Sequence, residues 1–179
     1  MKALLAFAQA VDKVNDGFAK FAEWAALLSG VISAANAVVR YSLNISSNGW
    51  LEIQWYLFAA CVMLGASQVL RVNEHVRVDL LYARYPLPVK VWVDLLGLVF
   101  FLLPVMAAML YFSWPLFLDR LHTGEMSQSA GGLIRWPVIL MLPLGFGLVL
   151  LQGLSEIIKR VGWLTHRFEM DTHYERPLQ

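Results

Sequence analysis

The sequence predicts an all-α membrane protein with four transmembrane helices and additional amphipathic surface helices. Hydrophobic residues make up 59% of the 179 residues and charged residues only 15%, and the mean hydropathy is +0.58. Soluble domains carry about 25% charged residues. A chain this poor in charge cannot cover a globular surface with polar groups, so its composition indicates a lipid environment. Its net charge of +1 gives no signal for nucleic-acid binding.

Four uncharged runs give the number of spans. They cover residues 24–39, 53–70, 95–118 and 136–155. A spanning helix needs about 20 mainly apolar residues. The first run is short, but Arg40 can snorkel to the interface and let the helix continue. The sequence therefore predicts spans at about residues 22–43, 53–70, 92–116 and 136–157 within a bundle of residues 21–160.

Tryptophans support this map because they flank the runs, where membrane proteins favour amphipathic rings. Trp163 lies just beyond the fourth run. The other six are predicted interface anchors: Trp24, Trp50, Trp55, Trp92, Trp114 and Trp136.

Lysine and arginine positions predict the orientation. Eleven of the fourteen lie in the N-terminal segment, the central loop or the C-terminal tail. Four spans put these three segments on the same side of the membrane. The positive-inside bias therefore predicts that both termini are cytoplasmic, with residues 161–179 as a polar tail.

Two segments are predicted to lie on the membrane surface. Residues 1–20 carry an apolar stripe at helical spacing. The motif Ala8-Gln9-Ala10 resembles a signal cleavage site, but the apolar core before it is shorter than the roughly 7–15 residues required. Residues 71–85 form a second candidate helix, with a plain surface loop as the alternative. The stripe of the first segment consists of Leu4, Ala8, Val11, Val14, Phe18 and Phe21.

Small residues recur every fourth position in the first span, at Ala26, Gly30 and Ala34. Such a stripe lets two backbones approach closely in lipid. It predicts a face that packs either on a neighbouring helix of this chain or on another subunit. Pro104 and Pro143 lie inside the third and fourth spans, where each removes a backbone hydrogen bond and is expected to bend its helix.

The chemistry that an enzyme or a self-sufficient carrier needs is missing from the sequence pattern. No Asp, Glu, Lys, Arg or His falls in the second, third or fourth uncharged run, although intramembrane ionisable groups normally mark transport pathways. Phosphate-binding loops, paired metal motifs and nucleophile elbows are absent from the sequence. Cys61 is a single cysteine in an apolar run and is predicted to pack there. We therefore expect no catalytic residue, cofactor or metal.

What remains is charge at the ends of the spans. Glu52 is expected to be either a solvated carboxylate at the outer interface or one member of an ion pair with a partner. The outer loop holds His122 and Glu125, which are too sparse for a metal site, and an ordinary loop is the alternative to a binding role.

Four stretches carry a family resemblance through their order and spacing: LEIQWYLF (51–58), MLGASQVLRVNEHVRVDLLY (63–82), GEMSQS (124–129) and WPVILMLPLGFGLVLLQG (136–153). They resemble the small, DctQ-type membrane subunit of tripartite ATP-independent periplasmic (TRAP) transporters. The resemblance implies a static scaffold with both termini inside a bacterial inner membrane. It also implies two partners: a large membrane subunit that moves as an elevator, and a periplasmic protein that captures substrate, commonly an organic acid. Uptake is then driven by a sodium gradient.

On this hypothesis the charges near the spans bind partners or fix loops of this chain. The predicted interface with the large subunit comprises Glu52, Arg71, Glu74, His75, Arg77, Asp79, Ala26, Gly30 and Ala34. The predicted docking residues for the periplasmic protein are Arg120, His122, Glu125 and Arg135. One alternative function is an independent four-helix carrier or channel that works as a homo-oligomer. Another is a membrane anchor for an electron-transfer enzyme, which the histidine positions disfavour because none lies within a span.

Overall fold

The computed structural model describes residues 1–45, 47–73, 82 and 84–168, and every named element among them is helical. Four helices of these residues are long and apolar enough to cross a membrane. Each contains one predicted span, so the predicted all-α membrane fold is confirmed. The elements in chain order are α1 (Lys2–Leu43), α2 (Asn48–Val72), α3 (Leu87–Gly97), a π-helical turn (Leu98–Leu102), α4 (Leu103–Thr123) and α5 (Trp136–Leu164).

Helix α1 differs from its prediction because no break separates residues 1–20 from the first span. The helix has 42 residues, or about 63 Å at 1.5 Å per residue, twice the thickness of a bilayer core. A seam at spacings of three and four continues through residue 20 and packs on the bundle, which explains the continuity. Its buried members are Ala8, Val11, Asn15, Ala19, Ala22 and Ala25. Of the predicted stripe, Leu4, Val14 and Phe21 are exposed instead.

Small residues bring the helices together. The core cluster joins Ala22 and Ala25 of α1 to Ala60 and Leu64 of α2 and to Leu148 of α5. A Cβ added to Gly145 of α5 would lie 2.7 Å from the carbonyl oxygen of Met63. Helices α2 and α5 are therefore close enough that only a glycine fits. Cys61 packs against this cluster, as predicted.

The third span is continuous from Leu87 to Thr123 but contains the π-helical turn. Pro104 lies two residues after this turn and has no N–H to donate to it, which accounts for the local change in hydrogen bonding. The predicted bend at Pro104 stays a prediction. A Cβ on Gly153 of α5 would lie 2.7 Å from Leu102 Cδ2, so a larger residue at position 153 would require the Leu102 side chain to shift. At Pro143, α5 continues without interruption.

The packing also sets the depth of α1 relative to the other spans. Ala60 and Leu64 lie near the middle of the uncharged run 53–70, and Leu148 near the middle of the run 136–155. Ala22 and Ala25 pack at this level, although the sequence predicts them at the start of the first span. Helix α1 is therefore displaced along its axis: Asp16 lies level with the end of α2, and residues 17–25 lie level with the apolar runs of the neighbouring helices.

Candidate functional site

One face of α2 holds the outer loop (residues 124–135). Asn48, Glu52 and Tyr56 are spaced by four residues and so lie on one face of the helix. Asn48 Nδ2 donates to the carbonyl oxygen of Ala130 at 3.0 Å, and Tyr56 Oη donates to that of Ile134 at 3.0 Å. We call these three side chains the loop clamp.

Glu52 is the central residue of the loop clamp and is only 5% exposed. Its carboxylate accepts hydrogen bonds from Ser127 Oγ and from the Leu133 backbone N–H, the latter at 2.6 Å. A Cβ on Gly132 would lie 2.9 Å from Glu52 Oε1. Neither a solvated carboxylate nor an ion pair with a partner describes this residue. Its charge is stabilised within the chain, because two donors of the outer loop form hydrogen bonds with the carboxylate.

Three of the four predicted docking residues form an ion cluster. The Glu125 carboxylate pairs with Arg120 and, at 2.9 Å, with Arg135 Nη1. Backbone bonds from Arg135 N to Glu125 O and from Ser127 N to Leu133 O, both 2.9 Å, close the loop on itself. His122 is exposed. Arg120 also lies 3.7 Å from Asp119 Oδ2. The loop is therefore an ordered element in which two arginines pair with two carboxylates.

A second polar site lies at the opposite end of the bundle, between α1 and α5. Asp12 accepts hydrogen bonds from Gln152 Nε2 at 3.0 Å and Ser155 Oγ at 3.1 Å, and Lys159 Nζ lies 2.8 Å from its carboxylate. Lys159 Nζ also lies 2.8 Å from Glu156 Oε1. One ammonium group thus joins a carboxylate of α1 to a carboxylate of α5.

This polar network extends across the bundle. Gln152 is fully buried and accepts a 2.6 Å hydrogen bond from Asn15 Nδ2. Arg160 pairs with Glu156 on its own helix and, at 3.3 Å, with Asp94 of α3. Asp94 in turn accepts a 3.0 Å bond from Tyr82 Oη. We call this set the α1–α5 network; its members are Asp12, Asn15, Tyr82, Asp94, Gln152, Ser155, Glu156, Lys159 and Arg160.

Arg71, at the end of α2, completes the connections at this end. Its guanidinium pairs with Asp16 of α1 and donates a 3.0 Å hydrogen bond to the carbonyl oxygen of Asp12. The charge of Arg71 is thus paired within the chain, and its predicted role at a partner interface stays a prediction. The other interface residues of this segment, Glu74, His75, Arg77 and Asp79, lie outside the described residues, as does most of the predicted surface helix 71–85.

The small-residue stripe faces away from the rest of the chain. Ala26, Gly30 and Ala34 are exposed, and a Cβ on Gly30 would meet no atom within 4 Å. Among the described residues no neighbouring helix packs on this stripe, so the structure favours the second sequence-based alternative, a face that packs on another subunit.

Most predicted interface tryptophans point outward. Trp50, Trp55, Trp92 and Trp114 are at least half exposed, and Trp136 is partly buried. Trp24 is also exposed, but it lies between Ala22 and Ala25 at the level of the core cluster. The displacement of α1 therefore puts Trp24 level with the core cluster, and its position at a membrane interface stays a prediction.

A comparison with protein families identifies the chain. A family model described as "Tripartite ATP-independent periplasmic transporters, DctQ component" matches residues 29–162. The chain belongs to the DctQ family. No curated protein and no solved structure matches it.

Membership in the DctQ family makes the chain the small membrane component of a TRAP transporter and a multi-pass membrane protein. DctQ components work with a large permease and a periplasmic binding protein, so the partner kinds implied by the sequence are supported. The described residues contain no group of three or more His, Cys, Asp or Glu side chains arranged to hold a metal.

Several residues of this DctQ chain that matter for its structure were missed by sequence reasoning. The spacing of Asn48, Glu52 and Tyr56 signals one helix face, but only the fold shows what that face contacts. Three polar residues share one face of α5 at spacings of four and three: Gln152, Glu156 and Lys159. Their meaning depends on Asp12, which is distant in sequence and becomes their neighbour only because α1 packs antiparallel to α5.

Proposed function

We propose that this DctQ chain is a non-catalytic scaffold subunit of a sodium-coupled secondary importer in a bacterial inner membrane. It stabilises a large elevator-type membrane subunit and helps dock a periplasmic substrate-binding protein for organic acid uptake. One observation supports this most: ion pairs and hydrogen bonds within the chain tie its helices together at both ends of the bundle.

Rigidity at both ends suits a static frame. At one end Lys159 and Arg160 connect α1, α3 and α5, and Arg71 connects α2 to α1. At the other end the loop clamp fixes the outer loop on α2. Removing one partner of a buried charge pair strongly destabilises a protein, so the ion pairs of Lys159 and Arg160 resist separation of the helices. An elevator-type subunit needs such a fixed body to move against.

The outer loop supports the docking role because its charges are held in place. Both arginines that contact Glu125 are held in place by ion pairs, and exposed His122 lies in the last turn of α4, next to the loop. A preordered surface with fixed charges suits docking, since complementary charge across an interface gives specificity. With both termini in the cytoplasm, this loop faces the periplasm.

Transport in liposomes tests the scaffold role. We expect sodium-driven uptake of an organic acid only when this chain, the large subunit and the binding protein are all present. The chain alone is expected to show no flux. Flux from the chain alone would favour the homo-oligomeric carrier and contradict the scaffold proposal.

His122→Glu tests the docking role without disturbing the fold, because the side chain is exposed. We expect weaker binding of the periplasmic protein and a higher concentration of it for half-maximal uptake. Arg84→Glu is the matched control: Arg84 is exposed and predicted to lie at the cytoplasmic side. Equal effects of the two variants would rule out a docking surface on the outer loop.

A further inference from the structure

Two charged residues of α1 lie at a depth where the neighbouring helices are apolar. Arg71, paired with Asp16, marks the charged end of α2. Glu23 is seven residues further along α1, or about 10 Å deeper into the bundle. Its neighbour Ala22 lies 3.6 Å from the position of a Cβ on Gly65, inside the uncharged run of α2. Lys20, four residues beyond Asp16, lies about 6 Å inside the same boundary.

Neither charge is compensated within the described chain. Lys20 and Glu23 are exposed, and neither is in an ion pair or side-chain hydrogen bond with a described residue, unlike Asp12, Asp16, Arg71, Lys159 and Arg160 at the same end of the bundle. A charged side chain facing hydrocarbon near mid-depth costs about 2.5–3.5 kcal/mol on insertion scales. Lysine can snorkel toward the headgroups, but the short Glu23 side chain cannot cross about 10 Å. This face of α1 therefore does not contact lipid.

The same face continues into the exposed small-residue stripe. Gly30 and Ala34 are seven and eleven residues from Glu23 and so share its side of the helix. The space beside Gly30 is open, since a Cβ there would meet no atom within 4 Å. A carboxylate thus lies at the base of a smooth, uncovered groove in which another helix could approach closely.

We propose that this α1 face, defined by Lys20, Glu23, Gly30 and Ala34, binds a transmembrane helix of the large membrane subunit. That helix presents a cation or hydrogen-bond donor to Glu23 and an acceptor to Lys20, and it packs on Gly30 and Ala34. The inference rests on the proposed scaffold function and assigns the face that performs it. A two-fold dimer of this chain through the same face would set Glu23 beside its own copy at equal depth, so self-association fits the charges less well.

Co-purification of the two membrane subunits tests the polar contact. Glu23→Leu is expected to lower recovery of the large subunit by about three- to fifteen-fold, the range measured for interhelical polar contacts in membranes. Trp24→Leu is the matched control because Trp24 is the adjacent residue, lies at the same depth, and is also exposed. Thermal unfolding of the isolated Glu23→Leu chain should show an unchanged or higher midpoint, which separates loss of binding from loss of folding.

Photo-crosslinking identifies the occupant of the face. A photoreactive residue at Leu27, one turn above Glu23, is expected to trap the large subunit, and one at Phe21, on the opposite flank of α1, is not. Both sites are about half exposed. Adducts with a second copy of this chain, or no protein adduct at Leu27 while the wild-type complex assembles and transports, would overturn the inference but leave the scaffold function intact. If the wild-type chain fails to assemble with the large subunit at all, both are wrong.

Discussion

Lys159 shows at the scale of a single residue how this chain accommodates charge beside apolar spans. Its ammonium lies 2.8 Å from carboxylate oxygens of both Asp12 and Glu156, and its side chain is only 13% exposed. Burying charges is costly unless they are paired and hydrogen-bonded. Here the two carboxylates are also bonded by Gln152 Nε2, and Glu156 pairs with Arg160 as well, so each of these charges is paired within the protein.

Lys159→Met is expected to destabilise the folded chain by about 3–5 kcal/mol, because two carboxylates then lose a shared buried cation. Chemical unfolding in micelles measures the change. Lys13→Met is the control: Lys13 is exposed and its charge is solvated, so little change is expected. Adding Asp12→Asn to Lys159→Met should restore part of the loss. A Lys159 variant as stable as the Lys13 control contradicts the structural role of the network.

Glu52 is a buried carboxylate at the opposite end of the bundle, where its hydrogen bonds hold the outer loop. Glu52→Gln keeps the size of the side chain but replaces one acceptor oxygen with an N–H₂ group, which then faces a donor from Ser127 or Leu133. We expect faster proteolysis of the outer loop, and mass spectrometry of the fragments measures the cleavage rate. Gln128→Ala, an exposed substitution in the same loop, is expected to leave the cleavage rate unchanged. Similar rates for both variants would argue against the loop clamp.

At the scale of elements, the helices meet through small residues. Where α5 crosses α2, Gly145 lets the helices approach closely, and where it passes the π turn, Gly153 leaves room for Leu102. In lipid the hydrophobic effect does not drive helices together, so association depends on close van der Waals packing and interhelical hydrogen bonds. The positions of these glycines on α5 therefore decide which neighbours it can accept.

Two glycines of α5 that are two residues apart, and so point to different sides of the helix, make this testable. Gly145→Ala is expected to cost about 1–3 kcal/mol, because the new Cβ would lie 2.7–2.9 Å from atoms of Met63. Gly147→Ala meets no atom within 4 Å and is expected to stabilise α5 by up to about 1 kcal/mol through its helix propensity. Thermal unfolding of both variants checks the opposite signs. A Gly145 variant as stable as wild type would show that α2 and α5 are further apart.

At the scale of the whole molecule, the two ends of the bundle differ in character. One end holds the α1–α5 network with its buried carboxylates and cations, and the other holds a compact loop clamped to α2. Lysine and arginine positions predict that the first end is cytoplasmic. On the proposed function, this orientation turns the loop toward the periplasmic partner and leaves the helices for the membrane partner.

Reporter fusions test that orientation. A green fluorescent protein joined to the C-terminus is expected to fluoresce, and alkaline phosphatase at the same position is expected to be inactive, because both report a cytoplasmic terminus. Alkaline phosphatase inserted after Gln128, in the outer loop, serves as the periplasmic control and should be active. The opposite pattern would show that both termini are periplasmic, and the outer loop could then not dock a periplasmic protein.

The sequence by itself determined the number of helices that can cross a membrane and the family, because span length, apolar composition and short motifs are local properties of the chain. It also predicted that Cys61 packs in the core. Only the tertiary structure decided the depth of α1, the internal use of Glu52 and Arg71, and the exposure of Gly30. Those features depend on which residues of α2 and α5 lie opposite α1. That register is set by the joint packing of small side chains and buried ion pairs on several helices, so no single segment encodes it.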